Sequence, residues 1–334
     1  MVQLASGQVL LAVTADAVDG GFPHSPALTV LDPWGAWPPA IEAPTILPYG
    51  TNAWTAVGTL DGKAYLITST SDGSYLFPDL PDNPDAAVLI APDPVDYIHF
   101  APSSEGSVLL RTDGSNGAVV TSAWPAGSSE SLPASCVEAD LAAAVPVPGG
   151  FLVAERFATF EEGVCPSSDV DLLITRYAVA AGGELVREVA QAIPVGPFGM
   201  GRLIERSDGA WLLIQSDLPG EPPYSVRRLD VNGLTASEPV EIPLSGGLSG
   251  TGRFGDGFAL ARFNPESEYG LVLELFGADG ALLKTASFDD APVFIGGAAQ
   301  ILPSPDGASL LVAFFGYVAD EKRRTVVARF DCAD

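Results

Sequence analysis

The chain reads as an all-β protein built from one repeated unit, a glycine-pivoted hairpin that continues through two further strands. Three observations predict this. Short turns recur along its whole length, as in "LASGQVLLAV", "TLDGKAYLIT", "SSEGSVLLRT", "VPGGFLVAER", "RSDGAWLLIQ", "RFGDGFALAR" and "PSPDGASLLV". Their glycines, Gly7, Gly62, Gly106, Gly150, Gly209, Gly257 and Gly307, stand 55, 44, 44, 59, 48 and 50 residues apart. Finally, 36 Gly and 29 Pro in 334 residues suit a chain dense in turns, and no sustained helical period interrupts them.

Each element has a physical reason. Asp-Gly and similar pairs supply the positive φ values that short hairpin turns need. The runs after them are rich in Leu, Val, Ile and aromatics, which fit a pleated, half-buried surface. A polar loop follows, then a third strand, a second turn and a fourth strand, as in "YSVRRLDVNGLTASEPVEIP" and "YGLVLELFGADGALLKTASF". Such units repeated seven times predict an all-β, seven-bladed β-propeller of four-stranded antiparallel blades in one domain, 1–334. The blades fall near 1–48, 49–94, 95–137, 138–195, 196–245, 246–293 and 294–334. The last reaches only its third strand at "RTVVARFDCAD", so it is either incomplete or completed by residues from elsewhere. Tandem β-sandwiches are the rival arrangement; even spacing without a linker-like segment argues against them.

The turn Ser304-Pro305-Asp306-Gly307 resembles the "SPDG" blade repeat of TolB-like propellers, and "RSDG" (206–209) and "TLDG" (59–62) match it in part. The resemblance concerns architecture and implies no activity. A sialidase-type Asp box is not matched.

Composition narrows the function classes. With 47% apolar residues the chain can bury a large core. Forty-two acidic against sixteen basic residues leave a net charge of −26, which repels phosphate backbones and anionic lipid, so no nucleic acid and no membrane insertion are expected. The acidity serves solubility, or attracts cations or basic partners. No apolar run reaches the roughly 18 residues that a membrane helix requires. The opening "MVQLASGQVL" lacks the marks of a signal peptide. An extracytoplasmic location is the expectation, with a removed leader, and a monomer is the default.

In a propeller the loops joining second to third strands share a face with those that link the blades. Here they vary widely: "ADAVDGGFPHSPA", "RFATFEEGVCPSSDVD", "SDLPGEPPY", "NPESEYG" and "GYVADEKRRT". Variable loops on a regular scaffold are where binding usually resides. Aligned on the turn glycines, the second strands carry Leu10, Tyr65, Leu109, Val153, Leu212, Leu260 and Leu310 three residues on. Two further, on the same face by alternation, come Ala12, Ile67, Arg111, Glu155, Ile214, Arg262 and Val312. Buried charges need partners or a pocket. Arg111 and Glu155 lie in adjacent blades, where an inter-blade ion pair would satisfy both. The other reading makes Arg111 and Arg262 anchors for an anion or carboxylate, a role that suits the guanidinium fork.

Other chemistry is sparse. His24 and His99 are the two histidines, both placed to approach the loop-rich face, and two are too few for a His-rich metal centre. Trp54, and Phe198 with Met200 in "PFGMGR", are candidates for the channel mouth or for the core. Nucleophile-elbow, phosphate-loop, dinucleotide and zincin motifs are all missing. No cofactor is predicted. "DLPDNPD" and "SFDDAP" offer oxygens of the kind calcium takes, without its regular spacing, so solvated loops are expected. Cys136 and Cys165 project toward one face from neighbouring blades and form the candidate disulfide, leaving Cys332 over. The function expected is non-catalytic binding of a protein or glycan by the loop-rich face, outside the cytoplasm. The alternative is a carbohydrate-active hydrolase or lyase at the channel mouth, with two carboxyls roughly 5–9.5 Å apart.

Overall fold

Backbone pairing resolves the repeats into sheets whose strands follow one another in chain order. The structure, a computed structural model, describes residues 1–15, 25–39, 45–46, 54–60, 63–70, 73–91, 98–103, 106–113, 118–124, 129–131, 143–157, 170–180, 185–243, 247–263, 270–287, 294–295, 299–317 and 323–332. The first sheet holds β1 (Val2–Gln3), β2 (Val9–Ala15), β3 (Ser25–Leu31) and β4 (Thr45–Ile46). The second holds β5 (Trp54–Leu60), β6 (Lys63–Thr70), β7 (Gly73–Leu80) and β8 (Val88–Ala91). The third holds β9 (Ile98–Ser103), β10 (Gly106–Asp113), β11 (Ala118–Trp124) and β12 (Ser129–Ser131). The fourth holds β13 (Ala143–Val147), β14 (Gly150–Phe157), β15 (Asp171–Val179) and β16 (Leu185–Pro194). In the fifth are β17 (Met200–Arg206), β18 (Gly209–Gln215), β19 (Tyr224–Leu229) and β20 (Val240–Glu241). In the sixth are β21 (Leu248–Phe254), β22 (Gly257–Phe263), β23 (Leu271–Phe276) and β24 (Leu282–Ser287). The final sheet has β25 (Phe294–Ile295), β26 (Gln300–Pro303), β27 (Ser309–Tyr317) and β28 (Arg323–Asp331).

Each of the first six is an antiparallel meander, and the first strand of each sheet contacts the first strand of the next: β1, β5, β9, β13, β17, β21 and then β26. That succession of innermost strands is a β-propeller. The expectation of seven four-stranded blades is corrected by the final sheet. β25 and β26 both pair with β27, at Phe294↔Tyr317 and Gln300↔Ala313, so they share one inner position. Among the described residues, with β28 beyond β27, that sheet is three strands across, so six four-stranded blades stand where seven were expected. The turn at 304–307 marked a hairpin, and a hairpin alone does not guarantee an outer strand.

Apolar packing between faces holds neighbouring blades together. Leu152, Leu172 and Ile174 of the fourth sheet meet Leu203, Leu212 and Ile214 of the fifth. Trp211 and Ile204 meet Phe258, Leu260 and Phe276 of the sixth. Trp211 stands edge-on to Phe258, with centroids 5.3 Å apart, and Phe258 stacks on Phe276 at 4.7 Å. The Trp211 indole N–H donates to the Asp256 carbonyl at 3.2 Å, tying this hairpin to the next blade's turn. Ala259, Leu273 and Leu275 pack on Leu310, Val312 and Phe314. The ring closes side to side, where Val9, Leu11 and Leu31 pack against Leu311 and Ala313. Arg329 reinforces this junction by donating to the Pro33 and Gly35 carbonyls, each at 3.0 Å.

The turns differ in length, which corrects the glycine alignment. Arg206↔Gly209 and Phe254↔Gly257 flank two-residue loops, so the glycine is the first residue of the strand. There it is required: Gly209 has φ +144°, and a Cβ would meet the Leu229 carbonyl oxygen at 2.1 Å. Leu60↔Lys63 starts β6 at Lys63, after the glycine in sequence, and the Leu4 N–H donates to the Gln8 carbonyl across a three-residue loop holding Gly7. The pleat therefore shifts by one residue. Leu10 packs with Leu66 and Phe77 of the following sheet, whereas Leu212 and Leu310 face the preceding one.

Candidate functional site

A small cleft lies where the fifth blade meets the sixth, with a cavity volume of about 30 Å³. Met200 and Arg202 come from β17, Leu213 and Gln215 from β18, Tyr224 from β19 and Leu248 from β21. Register explains the convergence. Met200↔Gln215 and Arg202↔Leu213 pair across one ladder, and Gln215↔Tyr224 across the next. All lie far from the 207–208 turn, so the cleft opens at the end of the blade where the variable loops sit. Its apolar wall is Met200, Leu213 and Leu248; Arg202, Gln215 and the Tyr224 hydroxyl supply polar groups. A few polar groups on an apolar wall is the usual make-up of a binding cleft.

Two residues before Met200, Phe198 is 78% exposed. Its backbone is held in place. The Phe198 N–H donates to Asp217 Oδ2 at 3.3 Å, and the Gly199 N–H donates to the Gly196 carbonyl at 3.1 Å. Gly196 has φ +81°, and a Cβ on it would meet Asp217 Oδ1 at 2.0 Å, so only glycine fits beside that carboxylate. Arg156 donates to the Pro197 carbonyl from the fourth blade. The result is a large apolar side chain presented to solvent on a braced turn.

Arg262 is the cross-strand neighbour of Leu248 and shares its face, beside the cleft. Its guanidinium is engaged with Glu274: Nε donates to Oε1 at 3.0 Å and Nη2 lies 2.9 Å from the same oxygen. The two side chains are 11% and 8% exposed. Glu155 sits at the equivalent position of β14 and is also buried. Oε1 of Glu155 has no hydrogen-bond partner among the described residues. Burial pushes its pKa up from 4.5 to about 7, opposed by the field of Arg187 on β16. The charge acting on Glu155 thus comes from its own sheet.

The other sequence candidates are placed less fully. Arg111 on β10, His99 on β9 and Trp54 on β5 are located as backbone, and their side chains lie outside the described residues. His24, Cys136 and Cys165 lie outside them altogether, so the candidate disulfide does too. Cys332 is a free, half-buried thiol whose pKa burial raises. No group of three or more metal-ligating side chains occurs among the described residues. The sequence reading singled out Phe198 and Met200 but missed Arg202, Gln215 and Tyr224. Alternation along three strands was the available signal, and it gains meaning only once the packing of the sixth blade is known.

No protein-family model matches the chain, and no curated protein matches its sequence. Solved structures do match. The β-propeller domain of the Trilobed protease from Pyrococcus furiosus superposes with a TM-score of 0.58 at 11% identity, over 98% of this chain and 95% of that one. Dihydro-heme d1 dehydrogenase NirN gives 0.51 at 15% identity, over 99% of this chain and 76% of that one. The tricorn protease gives 0.51 at 11% identity, over 97% of this chain and 36% of that one. At such identities the likeness establishes the fold alone. The protein is an all-β β-propeller.

Proposed function

We propose that the protein is a non-catalytic propeller that binds an extended segment of a partner protein through its loop-rich face, at Phe198 and the adjoining cleft. The observation that carries this reading is the 78% exposure of Phe198 on a turn braced by Asp217 and Arg156. A phenylalanine left in water on an ordered backbone costs little to immobilise further, and such aromatic anchors dominate protein interfaces. Met200, Leu213 and Leu248 continue the apolar surface inward, while Arg202, Gln215 and Tyr224 can fix the direction of a bound main chain.

Selection from a displayed peptide library tests the proposal, with Phe198→Ala as the comparison protein. Because Phe198 is exposed, the variant should keep the parent's melting temperature. Selected peptides should lose about tenfold or more in affinity on Phe198→Ala, the loss typical of an interface anchor. Peptides that bind both proteins equally would overturn the reading. So would glycan-array hits that survive the substitution when no peptide is enriched.

A further inference from the structure

The turn that presents Phe198 also presents a carboxylate beside it. Phe198 lies in "VGPFG" (195–199), a segment without a charged side chain. It is bonded to the loop "SDLPGEPPY" (216–224), whose charged residues are Asp217 and Glu221. Both acids are exposed. The two segments around the ring therefore offer a partner negative charge and no cation.

The carboxylate is held as firmly as the ring. The Asp217 N–H donates to the Val195 carbonyl at 3.2 Å, and the Ser216 hydroxyl reaches the same oxygen at 3.5 Å. The Leu218 N–H donates to Ser216 Oγ at 3.2 Å, and the Glu221 N–H donates to the Leu218 carbonyl at 3.2 Å. Oδ2 of Asp217 accepts from the Phe198 N–H, which uses only part of the carboxylate's accepting capacity. Glycine at 196 leaves Oδ1 uncrowded, since a Cβ there would come within 2.0 Å of it. An exposed ring and an under-used carboxylate thus stand one hydrogen bond apart.

The cations of this region are committed elsewhere. Arg156 donates to the Pro197 carbonyl and is half-buried. Arg202 in the cleft has an interaction of its own, and Arg262 is paired with Glu274. Among the described residues, no ion pair involves Asp217.

One side chain fits both features. A guanidinium is a plane that stacks on an aromatic face and a fork that takes the oxygens of a carboxylate. An ammonium supplies charge without the plane or the fork. The net charge of −26 adds a long-range attraction for a cationic ligand. We propose that the segment bound at Phe198 carries an arginine, its guanidinium laid on the Phe198 ring and bonded to the Asp217 carboxylate. This rests on the binding reading given above and adds the chemistry of the partner.

A random library of peptides about nine residues long, roughly 30 Å when extended, is panned against the whole protein, Phe198→Ala and Asp217→Asn. Asparagine keeps an oxygen for the Phe198 N–H and removes the charge, so the melting temperature should not move. Peptides enriched on the parent should carry arginine above its library frequency. A labelled copy of the strongest should weaken about three- to fivefold on Asp217→Asn, the size of a solvent-facing ion pair, and weaken as salt rises. With glutamine in place of its arginine, the peptide should bind the parent more weakly by a similar factor and ignore Asp217→Asn. With lysine it should lie between the two.

Enriched peptides without arginine, lysine equal to arginine, or indifference to Asp217→Asn would overturn the inference. If such peptides still lost affinity on Phe198→Ala, the binding reading would stand without it. Indifference to Phe198→Ala would overturn both. A library from which nothing is enriched would overturn the inference as well.

Discussion

Glu155 and Arg262 occupy the same place in their hairpins, five residues beyond the glycine that opens the second strand, yet they meet burial in opposite ways. Arg262 has a carboxylate, Glu274, two strand positions away on the neighbouring β23, and the two charges are jointly enclosed. Glu155 has an unpartnered Oε1 and a pKa moved to about 7, so near neutrality the proton itself removes part of its charge. One scaffold position thus accepts a charge by ion pairing or by protonation. What decides is the residue that the adjacent strand brings opposite, since a buried ion needs a partner or must neutralise.

The largest expected effect comes from breaking the pair. Arg262→Met leaves Glu274 buried and uncompensated and should cost about 3–5 kcal/mol in urea unfolding. Adding Glu274→Leu should recover most of that loss, because replacing both members of a buried pair with apolar groups is often neutral. If the double variant is no more stable than the single, the pair does more than satisfy itself, and a role for Arg262 toward the adjoining cleft gains ground.

Glu155 gives an effect of the next size, and one that depends on pH. Its folded pKa lies above its unfolded value, so the folded protein holds the proton more tightly. Stability therefore falls as pH rises from 4.5 to about 7 and is level on either side. The full difference is about 3 kcal/mol for the shift from 4.5 to about 7. Glu155→Gln should abolish this slope while keeping the side chain's shape. Urea midpoints measured from pH 4 to 8 decide it; an unchanged slope in the variant would place the titrating group elsewhere.

These two residues also mark how far the sequence could be read. Turn glycines about fifty residues apart located the hairpins, and the charges at Glu155 and Arg262 stood out by alternation within them. Their partners did not. Glu274 is twelve residues beyond Arg262 on another strand, and Arg187 is two strands from Glu155, so both depend on register rather than local pattern. The frame itself slipped in the first two blades, because β2 and β6 start only after the aligned glycine, at Val9 and Lys63, whereas Gly209 and Gly257 are themselves strand residues. The cleft was less legible still. Leu248 joins Met200 and Tyr224 only through the packing of two blades, and no repeat within one blade encodes that.

The smallest effect sharpens the comparison from the solvent side. Asp306 is an exposed carboxylate in the turn of the final sheet. The Ser304 hydroxyl donates to its Oδ1 at 2.6 Å and the Ala308 N–H at 3.0 Å. These bonds favour the charged form and hold its pKa below the ordinary range, the Ser304 contact foremost. The sign is then opposite to that of Glu155. The turn's stabilisation is present above the unfolded pKa and is lost as pH falls through the lower folded value. Asp306→Ala should lower the melting temperature slightly at neutral pH and not at all in strong acid, while Glu155→Gln should leave that acidic limit unchanged and act only above it. Ser304 also accepts from the Ser309 N–H at 2.9 Å, so Ser304→Ala removes two bonds of the turn and should exceed Asp306→Ala. If Asp306→Ala were as costly in acid as at neutrality, the turn would owe its stability to shape rather than charge. The contrast between exposed and buried carboxylates would then rest on Glu155 alone.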